Sequence, residues 1–179
     1  MKRILLLAVV LASAGCSPTA PPDTTAKDQA DIKALEDRFL AAFKAKDVNA
    51  IMACYTSDPA MIVFDVSPPR QYTGWQAYKK DWEDLFAAFP GPLDGTLSDL
   101  DIATGGDIAY SHSIQHASFT DKDGKKFELT VRVTDGYKKA NGQWLIAHEH
   151  VSIPVDLATL KTRSGLEVGQ RSTLDGARA

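Results

Sequence analysis

The sequence has 179 residues, 44% hydrophobic and 24% charged, with Lys+Arg 20 against Asp+Glu 23 and a net charge of −3. That composition excludes a wholly disordered chain, a collagen-like chain and a multi-span membrane protein, and its mild acidity gives no global pull toward nucleic acid. The length predicts one domain, and two cysteines, Cys16 and Cys54, are too few for a disulfide framework.

Lys2 and Arg3 precede the apolar run Ile4 to Ala12, and small residues follow at Ala12-Ser13-Ala14-Gly15-Cys16. This is the order of a bacterial secretory signal, and the run is too short to span a bilayer as a mature helix. Cys16 after Ala14-Gly15 resembles a lipobox, in which the thiol is acylated and becomes the new N-terminus. The alternative is cleavage after Ala12-Ser13-Ala14, which leaves a soluble secreted protein. The expected location is the bacterial cell envelope, facing the periplasm or exterior, with membrane contact only through the N-terminal lipid. Removing residues 1–15 takes away Lys2 and Arg3 and deepens the net charge to −5. Three prolines and several hydroxyl residues between Ser17 and Ala26 predict an extended tether, so residues 16–27 form the lipidated N-terminus and its linker.

Ile32, Leu35, Phe39 and Phe43 recur at helical spacing and predict an amphipathic helix over Lys27 to Lys46. Asp47 caps a second, short helix through Val48, Ile51, Met52 and Tyr55. Ala60 to Phe64 is a compact apolar run ending at Asp65 and predicts a strand. Thr73 to Phe89 predicts a third helix carrying Trp75, Tyr78, Trp82, Leu85 and Phe86, stopped by Pro90-Gly91-Pro92. Strands follow at Thr96 to Ala103, Ile108 to Thr120, Phe127 to Lys138 and Gln143 to Val155, with turn residues at Gly105-Gly106, Asp123-Gly124 and Asn141-Gly142. Three helices followed by an antiparallel meander make an α+β domain over residues 28–158, and 159–179 reads as a mobile tail.

Three motifs carry a family resemblance. Gly74-Trp75 opens an aromatic helix, Gly106-Asp107-Ile108-Ala109-Tyr110 opens a strand, and Gly142-Gln143-Trp144-Leu145-Ile146-Ala147-His148-Glu149-His150-Val151-Ser152 closes the sheet. Together they resemble the SnoaL-like (DUF4440-type) group of the nuclear transport factor 2-like, or ketosteroid isomerase-like, superfamily. The resemblance implies a cone: three helices in the concave face of a curved antiparallel sheet, with a pocket inside and a homodimer formed through the outer sheet face. Its members include isomerases, epoxide hydrolase, cyclases, dehydratases and the assembly domain of a calmodulin-dependent kinase, so the resemblance does not single out a reaction.

The four histidines fall in two pairs of even spacing, and each pair shares a strand face. A two-residue turn at Asp123-Gly124 places His112 opposite Asp135, which would make a histidine–carboxylate base or a plain cross-strand pair. The last hairpin has two registers. A two-residue turn at Asn141-Gly142 sets Asp135 opposite His148; a three-residue loop turns Glu149 and Val151 inward instead. Resemblance to the kinase assembly domain favours the second register. Pocket residues of that domain match Tyr78, Phe86, His112, Asp135 and Val151. Its arginines fall at His112, Asp135 and Val151, so a pocket that grips a carboxylate is not expected. Asp65 is a further candidate base, with Tyr78 or Tyr110 as donor beside Trp82, by analogy of role with ketosteroid isomerase. The candidate catalytic residues are thus Asp65, His112 and Asp135, and the candidate pocket residues are Tyr78, Trp82, Phe86, Tyr110, Glu149 and Val151. No metal site and no cofactor are expected, since no ligand spacing or phosphate-binding loop is present.

These readings predict a pocket for a small apolar or aromatic molecule, with cofactor-free acid–base chemistry of the isomerase, cyclase or hydrolase type. The alternative is a noncatalytic envelope domain that binds a ligand or assembles as a dimer. No nucleic-acid partner is expected.

Overall fold

The computed structural model describes residues 24–159 and 161–162. The signal, Cys16, most of the tether and most of the tail lie outside the described residues. Among the described residues, no helix is long and apolar enough to cross a membrane.

Helix α1 spans Thr25–Ala45, and its first turn occupies the last positions expected for the tether. Asp28 anchors that turn: it is buried and accepts from the Thr24 hydroxyl at 2.6 Å, from Lys139 Nζ at 2.5 Å and from Trp144 Nε1 at 3.1 Å. The buried stripe of α1 holds Ile32, Leu35, Phe39 and Phe43, but also Glu36. Burial of each large aliphatic side chain contributes about 1.5–3 kcal/mol. Helix α2, Val48–Met52, begins at Asp47, whose carboxylate accepts from the Ala50 amide. Such a cap satisfies one of the free donors of a helix start. Helix α3, Trp75–Ala88, buries Tyr78 and Trp82 and stacks edge-on against α1 through Phe39–Trp82 and Phe43–Trp82.

The strands are β1 Ile62–Phe64, β2 Tyr72–Thr73, β3 Leu93–Gly105, β4 Ile108–Thr120, β5 Lys126–Ala140 and β6 Gln143–Ser152, followed by the short pair β7 Val155–Asp156 and β8 Lys161–Thr162. The main sheet has the order β2-β1-β6-β5-β4-β3. Its last four strands form the expected meander, while β1 joins β6 in parallel and makes the sheet mixed. The chain can do this because α1 and α2 come first and β1 enters at the sheet's free edge. Bulges between Ser98 and Asp101 on β3 and at Ala147 on β6 bend the sheet around α1; a bulge adds a residue to one strand and bends it. The sheet stays open, with β2 and β3 at its edges.

The two hairpin tips help decide which side chains point inward; the first differs from expectation, and the second takes one of the two turns left open. The β4–β5 tip is a three-residue loop, Lys122–Gly124, not a two-residue turn. Asp121 sets it: its carboxylate accepts from the amides of Asp123 and Lys125, both at 2.9 Å, and Gly124 takes φ 79°. A type I turn followed by a left-handed glycine is the standard three-residue solution. The β5–β6 tip is the two-residue turn, with Asn141 at φ 52° and Gly142 at φ 78°, so Ala140 pairs with Gln143. That register alone would set Asp135 opposite His148. The bulge at Ala147 shifts it by one, and Asp135 faces Glu149 instead.

Candidate active site

A transverse row of polar side chains crosses the inner face: Ser111 on β4, Asp135 on β5 and Glu149 on β6, in successive registered pairs. All three are buried. Next along the row is Val63 on β1. The helical layer supplies the partners. Tyr55 follows α2 and bridges to Ile146; the Thr56 amide donates to the Ile146 carbonyl and the Ile146 amide to the Cys54 carbonyl. From there the Tyr55 hydroxyl donates to Glu149 Oε2 at 2.6 Å, and the Tyr78 hydroxyl, from α3, donates to Glu149 Oε1 at 2.6 Å. Deeper in, the Tyr137 hydroxyl donates to Glu36 Oε1 at 2.8 Å and lies 2.7 Å from Ser111 Oγ. Asp135 Oδ1 is buried with no hydrogen-bond partner.

Three carboxyls, Glu36, Asp135 and Glu149, are therefore gathered in an apolar interior. Burial raises the Glu149 pKa to about 7, against the two tyrosine hydrogen bonds that lower it; the nearby charges of Asp65 and Glu36 raise it further. Asp135 is pushed well above the usual carboxylate range by burial and then by the charge of Glu149. Glu36 is raised by burial, in opposition to its bond from Tyr137. Adjacent buried carboxyls cannot all ionise, so the group retains protons at neutral pH. Burial pushes Tyr55 and Tyr78 well above their ordinary values, which keeps them as hydroxyl donors.

Glu149 also borders a cavity of about 260 Å³ between the sheet and helices α1 and α3. Phe39, Phe43, Tyr78, Trp82, Val133 and Val151 are among its apolar walls. Asp65, just after β1, and Asp81 on α3 line it as well. Asp65 accepts from the Val66 amide at 2.5 Å, and its pKa is raised by burial and by the charge of Asp81. A cavity with aromatic side chains and a carboxyl of raised pKa on its wall can move a proton to or from a bound molecule. Among the described residues no group of three His, Cys, Asp or Glu side chains is placed to hold a metal ion.

The structure brings together Asp65, Tyr78, Trp82, Glu149 and Val151 at the cavity, with Asp135 behind Glu149. Phe86 is half-buried and packs on Phe43 and Trp82. His112 is not part of this group. The three-residue β4–β5 loop pairs it with Thr134 and leaves it exposed, while Ser111 takes the place opposite Asp135. Tyr110, two residues earlier, shares that face and is 54% exposed, so it cannot act as the donor to Asp65. His148 and His150 pack edge-on against Phe64, with His148 Nδ1 2.7 Å from the Ile62 carbonyl. Cys16 lies outside the described residues.

Four members of the network were not singled out from the sequence: Glu36, Tyr55, Ser111 and Tyr137. One signal was available for Glu36. It falls four residues after Ile32 and three before Phe39, on the apolar stripe of α1, where an acid requires a buried partner.

A SnoaL-like domain model matches residues 32–156. No curated protein gives a significant match. A nuclear transport factor 2-like protein of unknown function from Pseudomonas putida is 29% identical, with a TM-score of 0.71 over 79% of this chain and 97% of that one. A nuclear transport factor 2-like superfamily protein from Salmonella enterica is 18% identical, with a TM-score of 0.67 over 74% of this chain and 94% of that one. A ketosteroid isomerase-like protein from Erwinia carotovora is 20% identical, with a TM-score of 0.61 over 70% of this chain and 95% of that one. At such identities the last two show a shared fold alone.

Proposed function

The chain belongs to the SnoaL-like domain family, and from that premise we propose that it binds a small apolar or aromatic molecule in its inner cavity and exchanges a proton with it through Glu149. One observation carries this reading. Glu149 is a buried carboxyl, gripped by Tyr55 and Tyr78, that borders an aromatic-walled cavity. With its pKa raised to about 7, each protonation state is populated near neutral pH, which suits a general base that must return its proton. Asp135 stands behind it as a protonated neighbour. The reaction class is proton transfer at an activated carbon or oxygen, as in isomerisation, cyclisation or hydrolysis, with this chain's own carboxyls as the acid and base.

The test is hydrogen–deuterium exchange at the α-carbon of aryl ketones in heavy water. Wild-type protein should accelerate exchange near neutral pH, and Glu149→Gln should lose about 10²–10⁴-fold of that acceleration. Exchange undiminished in the variant would overturn the catalytic role.

A second reading is a noncatalytic binding domain. It is favoured by the fact that both Glu149 oxygens already accept tyrosine hydroxyls. Binding of ring compounds without any exchange would support it. For location we propose the envelope, with the domain tethered through Cys16, on the strength of the Lys2-Arg3 and Ala14-Gly15-Cys16 pattern. Metabolic labelling with a lipid precursor tests this: label on wild type and none on Cys16→Ala is the expected result, and an unlabelled wild type refutes it.

A further inference from the structure

The cavity's lining is lopsided in charge. Asp65, Asp81 and Glu149 all border it, and among the described residues no lysine or arginine does. His116 is the single basic type in the lining, and its Nδ1 is 3.0 Å from the Thr130 hydroxyl. Tyr72 donates to Asp81 at 2.6 Å and Tyr78 to Glu149, so both acids are served by neutral hydroxyls rather than by a countercharge. Aromatic rings form part of the remaining wall, with Phe39 and Phe43 packed edge-on to Trp82, beside aliphatic side chains such as Leu129 and Val131. The indole N–H of Trp82, a lining residue only 8% exposed, has no hydrogen-bond partner.

Each element has a physical complement. A low-dielectric cavity bordered by acids without a countercharge disfavours an anion, because each acid that ionises repels it and the repulsion grows as water is excluded. Aromatic faces attract a cation through their quadrupole, by about 0.5–2 kcal/mol per well-placed contact. A buried donor without a partner is relieved by an acceptor on a bound molecule.

We propose that the cavity selects a ring compound carrying a protonated amine, with a hydrogen-bond acceptor elsewhere on the ring, and rejects the corresponding carboxylic acid. The proposal rests on the cavity being a ligand site and adds the charge of the ligand. Burial is the largest cause of both shifts, and like-charge repulsion adds to it: the charge of Asp81 raises the pKa of Asp65, and the charge of Asp65 that of Glu149, so a positive group placed among them relieves a cost already present. The cavity volume of about 260 Å³ lies just under the range of about 300–1,000 Å³ usual for ligand pockets, which points to one or two rings.

The test uses three probes of nearly equal shape: 4-methoxybenzylamine, 4-methoxybenzyl alcohol and 4-methoxybenzoate. Their dissociation constants are measured by calorimetry on wild-type protein and on Asp65→Asn at moderate ionic strength. The amine should bind at least tenfold tighter than the alcohol, and the benzoate weaker than either. Asp65→Asn should narrow the gap between amine and alcohol several-fold. If the alcohol or benzoate binds wild type as tightly as the amine, the charge selection is refuted and the cavity as a ligand site survives. An amine preference that persists in full in Asp65→Asn also refutes it, since the preference then arises elsewhere. If none of the three binds, the ligand-site reading falls and the charge selection falls with it.

Discussion

Asp135 on β5 and Glu149 on β6 are registered cross-strand partners on the inner face of the sheet, both buried and both acidic. Like charges directly opposite each other on a sheet are destabilising, and burial multiplies the cost. The arrangement is tolerated because protons are retained and because Tyr55 and Tyr78 supply donors to Glu149.

Stability should therefore depend on pH in a particular direction. A carboxyl whose folded pKa is raised binds its proton more tightly when folded. The stability this gives is fully present below its ordinary value, 4.5 for Glu149, and is lost as pH rises through the folded value of about 7. Urea unfolding of wild type should show stability declining between those limits, by on the order of 3 kcal/mol from Glu149. Asp135 and Glu36, shifted in the same direction, add to the slope. Glu149→Gln should flatten it, and an unchanged slope in the variant would falsify the assignment.

Asp135→Asn removes the adjacent ionisable group and keeps the shape. The Glu149 carboxyl, followed by carbon-13 NMR, should titrate close to its wild-type pH, because Asp135, which the charge of Glu149 pushes higher still, keeps its proton while Glu149 ionises. Stability at pH 8 should be unchanged or higher, since the neutral amide cannot place a second buried charge beside Glu149. A marked fall in the Glu149 titration would show that Asp135 is ionised beside it in the wild type.

Acid behaviour should be governed by a different pair. Lys139, 2.5 Å from Asp28, holds that carboxyl down to about 2, first through its hydrogen bond and then with help from Thr24. A lowered carboxyl gives stability that is present above its ordinary value, 3.8, and lost as pH falls through about 2. Lys139→Met should move the acid unfolding midpoint to higher pH, read by circular dichroism. A midpoint that stays put would remove Asp28 from the acid response.

His112→Ala should leave ligand binding intact and change stability by no more than about 0.5 kcal/mol, the usual scale for an exposed site. The side chain lies on the exposed face opposite Thr134, away from the cavity. Loss of binding in this variant, measured by thermal shift with the ring compounds above, would contradict its placement.

The helices and the meander were legible because burial leaves a period in the chain. Ile32, Leu35, Phe39 and Phe43 mark α1, and the turn residues punctuate the long strands. The short β2 and the parallel attachment of β1 were not, since two or three residues carry no period and a strand does not encode its neighbour. Glu149 faces inward, as one of two open registers allowed, but for a reason the turn residues do not contain: the tip is the two-residue turn, and the bulge at Ala147 makes the shift.

The candidate site shows the same division. The sequence by itself determined an α+β domain of this family and an aromatic helix carrying Tyr78 and Trp82, and it offered acids as candidates for the inner face. Only the tertiary structure decided which acids meet. Asp121 closes the β4–β5 loop with its own carboxylate and thereby exchanges His112 for Ser111 opposite Asp135. Glu36 on α1, Tyr55 just after α2 and Tyr78 on α3 arrive from up to 113 positions away from Glu149, held there by packing of the apolar core. A one-residue change in register turns every side chain of a strand to the other face. Where two loop lengths differ little in local energy, that choice rests with caps, bulges and core packing that no short stretch of sequence contains.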